Sequence, residues 1–167
     1  YSVVVAPATS ADAGYSMFNA PDVMVTNSDN DVAGIVATPS SGLTTTEALG
    51  VASFSVVLTS QPTSAVTIAL TSSDTTEGSP ATTTLTFTSA NWNVPQTASV
   101  RGVDDSIDDG HISYTVALGA TSSDAGYSGL GTSVSLTNED DDTSGIVVST
   151  TSGLVTTESG GTATFTV

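Results

Sequence analysis

The carboxylates of this chain come in runs. NEDDD (138–142) sets four acids side by side, and NSDND (27–31) echoes it with Asp29 and Asp31. DDSIDDG (104–110) holds Asp104, Asp105, Asp108 and Asp109, TSSDTTEGSP (71–80) holds Asp74 and Glu77, and Glu47 and Glu158 each close a Thr-Thr-Glu triplet. Such groups offer only oxygen and negative charge, which is the donor chemistry of hard cations. With no cysteine and one histidine in the chain, soft-metal sites are excluded, and flexible loops able to supply six to eight oxygens suit Ca2+ better than Mg2+. Two carboxylates 4 Å apart repel by about 1 kcal/mol in water and about 4 kcal/mol at the effective dielectric of a protein surface. A gathering of them therefore strains the fold unless a cation sits among them. The competing reading is an ordinary solvated acidic loop. An EF-hand is not the answer: DDDTSG (140–145) opens like one, but the twelfth position is Thr151 where a bidentate Glu belongs, and DSIDDG fails too.

Whether these runs meet depends on the elements that carry them, and an internal repeat defines those elements. Residues 25–56 match residues 136–167 without a gap: Asn27 with Asn138, Asp29 with Asp140, Asp31 with Asp142, Glu47 with Glu158 and Phe54 with Phe165, all at an offset of 111. DAGYS recurs at 12–16 and 124–128, at an offset of 112. The chain reads as a window on a tandem array. Residues 1–31 supply the last strands of one repeat, 32–142 a complete repeat, and 143–167 the first strands of the next, a stretch of a longer polypeptide.

Period-two alternation marks the strands. Val66, Ile68 and Leu70 face one way in AVTIAL, as do Leu85 and Phe87 in TLTFT, Ile112, Tyr114, Val116 and Leu118 in HISYTVAL, Val134 and Leu136 in SVSL, and Ala163, Phe165 and Val167 in GTATFTV. With GIVA near 34, VASFSV near 51 and QTASV near 96, the complete repeat has seven short strands in about 110 residues. That is the pattern of an all-β, immunoglobulin-like antiparallel sandwich. Antiparallel strands reverse at each connection, so the first, third and fifth connections and the exit of the seventh strand share one pole. Those four places hold eleven of the twelve acids of residues 32–142, and only Asp124 falls at the other pole. Four acidic loops converging is the argument for a metal site.

Composition narrows the partners. Seventeen acidic residues against one basic give a net charge of −16, which argues against nucleic acid and anionic membrane as partners, since both need Lys and Arg. No apolar run is long enough to span a bilayer, and YSVVVAP lacks the basic start of a signal peptide, so any targeting signal is expected outside this window. No Ser, His and acid combination and no Gly-rich phosphate loop is present, so no enzyme is expected. Acids that adapt a protein to salt would be spread over the strands, and these are not.

The acidic pole built from TTTEALG, the aspartate of TSSD, GVDDSIDDG and the terminal NEDDD resembles the Calx-beta domain of large bacterial surface proteins. The resemblance covers the whole window. It implies a small cluster of Ca2+ ions bound by Glu47, Asp74, Asp104, Asp105, Asp108, Asp109, Asp140, Asp141 and Asp142, with Asp29, Asp31 and Glu158 in the same roles in the flanking repeats. The family's acidic loop often continues with Glu, whereas Gly110 and His111 stand here.

The expectation is thus a calcium-binding structural repeat of an extracellular or cell-surface rod, filament or adhesin, with neighbouring repeats of the same chain, and identical chains or a cell-surface target, as its partners. The alternative is a carbohydrate- or ligand-binding module using Trp92 and Tyr127. Against it, a lone Trp more often plugs the base of a sandwich. His111 borders the acidic loop but is a poor Ca2+ donor. Arg101 is expected to pair with a nearby carboxylate at little gain, and Asp12 and Asp124 to cap their own turns.

Overall fold

The computed structural model describes residues 1–167. The protein is all-β and divides into two compact units, Tyr1–Asp31 and Val32–Val167. In the first unit, β1 (Ser2–Val3) and β2 (Val23–Met24) pair antiparallel, Ser2 opposite Met24. Their connection folds on Asp12, whose Oδ1 accepts the Gly14 N–H at 2.8 Å and whose carbonyl accepts those of Tyr15 and Ser16.

The second unit is a two-sheet sandwich of nine strands: β3 (Ile35–Thr38), β4 (Leu43–Thr46), β5 (Val51–Leu58), β6 (Val66–Ser72), β7 (Gly78–Pro80), β8 (Thr84–Phe87), β9 (Gln96–Gly102), β10 (Ile112–Ser122) and β11 (Gly131–Glu139). One sheet runs β4-β11-β10-β6-β8 and the other β3-β5-β9-β7. Alternation decides what lies between them. Phe54 and Val56 of β5, Ile68 of β6, Phe87 of β8, Val100 of β9 and Val116 of β10 are buried in one core. Each such side chain contributes roughly 1.5–3 kcal/mol by leaving water. The intervening positions, such as Thr67 and Thr71 of β6 or Ser133 and Ser135 of β11, are exposed and uncharged.

Three features depart from the seven-strand antiparallel expectation. The first expected strand is broken at Pro39, which has no N–H to offer a ladder, and Gly42 turns with φ +73°. The chain leaves the edge of β5 as β3 and resumes as β4 on the edge of β11, running parallel to it. The third connection also contributes β7, which pairs with β9. The third departure is at 143–167: the strand read in GTATFTV is absent, and this stretch holds only an isolated bridge between Thr157 and Gly161. No strand lies beside it to complete a ladder, and Phe165 and Val167 are exposed.

At the pole with few charges, Tyr127 closes the sandwich. It is buried, its hydroxyl donates to the Ser60 carbonyl (2.6 Å) and accepts the Ser60 N–H (3.1 Å). Asp124 Oδ2 accepts the Thr63 N–H and hydroxyl, while Oδ1 accepts the Gly126 N–H. Trp92 is half-buried against the core, and its carbonyl accepts the Leu58 N–H.

Candidate metal centre

At the opposite pole the end of β4, the end of β9, the turn before β7 and the exit of β11 come together. The Glu47 N–H donates to the Glu139 carbonyl (3.0 Å), extending the β4–β11 ladder by one residue and drawing the Glu47 side chain in until it is 2% exposed. Carboxylate oxygens of Glu47, Asp140 and Asp142 lie within 4.8 Å of one another, and those of Glu77, Asp105 and Asp109 do the same.

Backbone groups shape the first trio. Asp140 Oδ1 accepts the Asp142 N–H (2.8 Å) and Oδ2 the Gly110 N–H (2.7 Å), where Gly110 takes φ +78°. Glu47 Oε2 receives only a long bond from the Asp141 N–H (3.4 Å). Asp142 Oδ2 is buried with no hydrogen-bond partner at all, a condition few native polar atoms tolerate without a ligand. Burial raises the Glu47 carboxyl above its ordinary range, the negative charges of Asp140 and Asp105 add to this, and the Asp141 N–H opposes it. Asp142 is raised by burial and then by Asp140, Asp141, Asp104 and Asp105. In the second trio, burial raises Glu77, the Asn138 amide opposes it, and Asp109, Asp74 and Asp105 push further upward. All three groups resist ionisation for the same reason: charge is being asked to sit out of water among like charge. An all-oxygen donor set containing an orphaned carboxylate oxygen fits a hard divalent cation.

Of the candidate ligands, Glu47, Asp140, Asp142, Asp105 and Asp109 fall into the two trios. The others are placed differently. Asp74 is lowered chiefly by the Thr76 hydroxyl and N–H, which bind it into its own turn; it lies outside the second trio and acts on Glu77 by its charge. Asp108 accepts the Ser144 N–H (2.7 Å) and is lowered by Ser144. Asp104 acts on Asp142 by charge, and Asp141 contributes its N–H to Glu47. Asp29 lies exposed in the first unit, accepting the Asp31 N–H (3.0 Å), and Glu158 is exposed in the turn at 157–160. Glu77 is not among the ligands that the resemblance implies, since it takes only the aspartate of the third connection. Strand direction had already put Glu77 at this pole, and that was the available signal.

His111 Nδ1 accepts the Asp140 N–H (3.1 Å), so the ring supports the β11 exit. Arg101 is exposed on β9 opposite Val51 and Ser79, on the outer face of its sheet rather than against the acidic pole.

The chain matches no family model and no curated relative. Among solved structures it is similar to the periplasmic chaperone SfaE, at 12% identity over 65% of this chain and 57% of that one, with a TM-score of 0.47. It is also similar to WR4, a C. elegans member of the MSP family, at 7% identity over 64% of this chain and 96% of that one, with a TM-score of 0.44. A third likeness is to PapD-like domain 7 of human CEP192, at 9% identity over 73% of this chain and 94% of that one, with a TM-score of 0.49.

Proposed function

We propose that the acidic pole binds Ca2+ and that the sandwich is one bead of a tandem array in an extracellular or cell-surface rod, filament or adhesin of a bacterium, as the Calx-beta resemblance implies. The observation that carries the reading is Asp142 Oδ2, buried and unpartnered beside the buried carboxylate of Glu47. Glu47, Asp140 and Asp142 would hold one ion, and Glu77, Asp105 and Asp109 a second. Bound there, Ca2+ supplies the positive charge that turns mutual repulsion of these carboxylates into attraction.

The protein's own groups prepare the pole for this. Backbone N–H groups of Gly110 and Asp142 orient Asp140, and burial of Glu47 and Glu77 keeps water from competing for their oxygens. Asp108 holds the Ser144 N–H, two residues past Asp142. This bond clasps the chain leaving β11 to the loop after β9, and so sets the direction in which the following residues depart.

Recurrent backbone geometry supports the array. Gly42 and Gly153, and Leu49 and Gly160, share positive φ at an offset of 111, and Met17 and Gly129 do so at 112. The hydrogen bonds of the Asp12 turn recur around Asp124: Gly14 N–H to Asp12 Oδ1 and Gly126 N–H to Asp124 Oδ1 are both 2.8 Å. The carbohydrate-binding alternative is less well supported, because Tyr127 is buried and its hydroxyl is committed to Ser60.

Thermal unfolding in Ca2+ and in chelator tests the proposal. At a hundredfold excess over Kd the folded state gains about 2.7 kcal/mol, which for a chain of this size raises Tm by roughly 5–10 °C. An unchanged midpoint would end the calcium reading.

A further inference from the structure

Beneath the two carboxylate trios lies a chain of polar groups that no metal ligand requires for its own sake. Thr45, Asn138 and Tyr114 are each more than nine-tenths buried, as is Glu77 of the second trio, on which the chain ends, in a sandwich whose interior is otherwise almost wholly apolar. Thr45 and Asn138 face each other in the parallel β4–β11 register. Thr45 Oγ1 donates to Asn138 Oδ1 (2.9 Å), so its one proton is used and the Tyr114 hydroxyl, 2.9 Å away, must be the donor to it. The Asn138 amide is thereby fixed with Nδ2 outward, donating to the Val103 carbonyl (3.1 Å) and to Glu77 Oε2 (3.4 Å).

The three segments this chain ties together each deliver a carboxylate two residues later: Thr45 precedes Glu47, Val103 precedes Asp105, and Asn138 precedes Asp140. In extended chain, residues two apart project on the same side. Space for the chain is kept open by two glycines. A Cβ on Gly78 would strike the Tyr114 ring and hydroxyl, and one on Gly102 would strike the Thr46 carbonyl and Asn138 Oδ1. Well-packed apolar residues of similar volume would often serve stability as well as a buried polar chain, so its retention at this depth calls for another purpose. Groups behind metal ligands that orient them are worth about 10–100-fold in metal affinity.

We infer that Tyr114, Thr45 and Asn138 form a positioning strut that holds the ligands of both trios in place, so that removing a hydroxyl that touches no carboxylate weakens Ca2+ binding at both. This rests on the calcium reading of the pole. Thr45→Val keeps the shape of the side chain and deletes the central hydroxyl, and Thr45→Ser restores it.

Calorimetric titration with Ca2+, at a temperature where each variant is fully folded, tests the strut. Carboxyl-carbon NMR of Glu47 and Glu77 resolves the two trios. Thr45→Val is expected to lose about 10–100-fold in affinity at both, with Thr45→Ser close to wild type. Wild-type affinity in Thr45→Val, loss at one trio alone, or a loss in Thr45→Ser as large as in Thr45→Val would each overturn the strut. Should Thr45→Val not fold, Tyr114→Phe carries the test: weaker binding at both trios supports the strut and unchanged binding overturns it. A wild-type protein that binds no Ca2+ overturns the reading of the pole itself, whereas wild-type binding alongside an unaffected Thr45→Val overturns the strut alone.

Discussion

Residues 34–56 and 145–167 carry nearly the same instruction and reach different states. GIVATPSSGLTTTEALGVASFSV forms β3, β4 and β5, whereas GIVVSTTSGLVTTESGGTATFTV forms no strand. Phe54 is 2% exposed and its counterpart Phe165 59%; Glu47 is buried and Glu158 exposed. The turns survive in both, since Gly153 and Gly160 keep the left-handed backbone of Gly42 and Leu49. Local sequence thus sets where the chain bends and which face is apolar. Neighbouring strands decide whether an alternating segment becomes a strand, because a lone ribbon is at best marginal in water. They also decide whether a glutamate is buried, and so which of two equivalent residues acquires the environment of a ligand.

The largest effect expected from this contrast is in the core. Phe54→Ala should cost about 3–5 kcal/mol in urea unfolding, while Phe165→Ala should stay within about 0.5 kcal/mol. Comparable losses would mean that 145–167 is packed after all. Next comes the pole. On the calcium proposal, Glu47→Gln should remove one of the two Ca2+ binding events expected in calorimetry, and it should raise the stability of the metal-free chain by deleting a buried, repelled charge. Glu158→Gln should change neither in this chain, and equal effects would erase the distinction.

The smallest is a pH slope. Burial raises Glu47 and Glu77, so above the ordinary carboxylate range the folded, metal-free chain retains protons that the unfolded chain has released. Stability should therefore fall as pH climbs from about 4 toward 7 in chelator, and the fall should shrink in Ca2+. Asp74, Asp108 and Asp124 are lowered by turn hydrogen bonds and act the other way, subtracting stability as pH drops through their lowered values. Urea midpoints across the range check both limbs; a midpoint rising steadily to neutrality in chelator would contradict the burial of the two glutamates.

Much of this was legible beforehand. Alternation identified the inward residues of β6, β8, β10 and β11, and counting strand directions gathered the acidic connections at one end. The exchange of the chain from the β5 edge to the β11 edge was not legible. It depends on which edges remain open once the sandwich has closed, and Pro39 and Gly42 show only where a break is permitted. Nor could direction alone tell Asp74 and Asp108, which lie outside both trios, from Asp105 and Asp109, which meet Glu77. That distinction is made by where connections of differing length place each carboxylate. In the sequence Asn138 is only the first letter of an acidic run; in the fold Thr45, Val103 and Glu77 surround it and make it a hub.

The clasp between Tyr127 and Ser60 carries a consequence of its own. It is made of neutral donors and acceptors, sealed from solvent, and neither ionic strength nor chelation acts on it directly. On the calcium proposal, a sandwich built this way has one end closed by neutral bonds and one end that answers to divalent ions. When divalent ions are withdrawn, loosening should begin at the acidic tip and spread downward along the strands, much as a zip opens from the side that is not stitched.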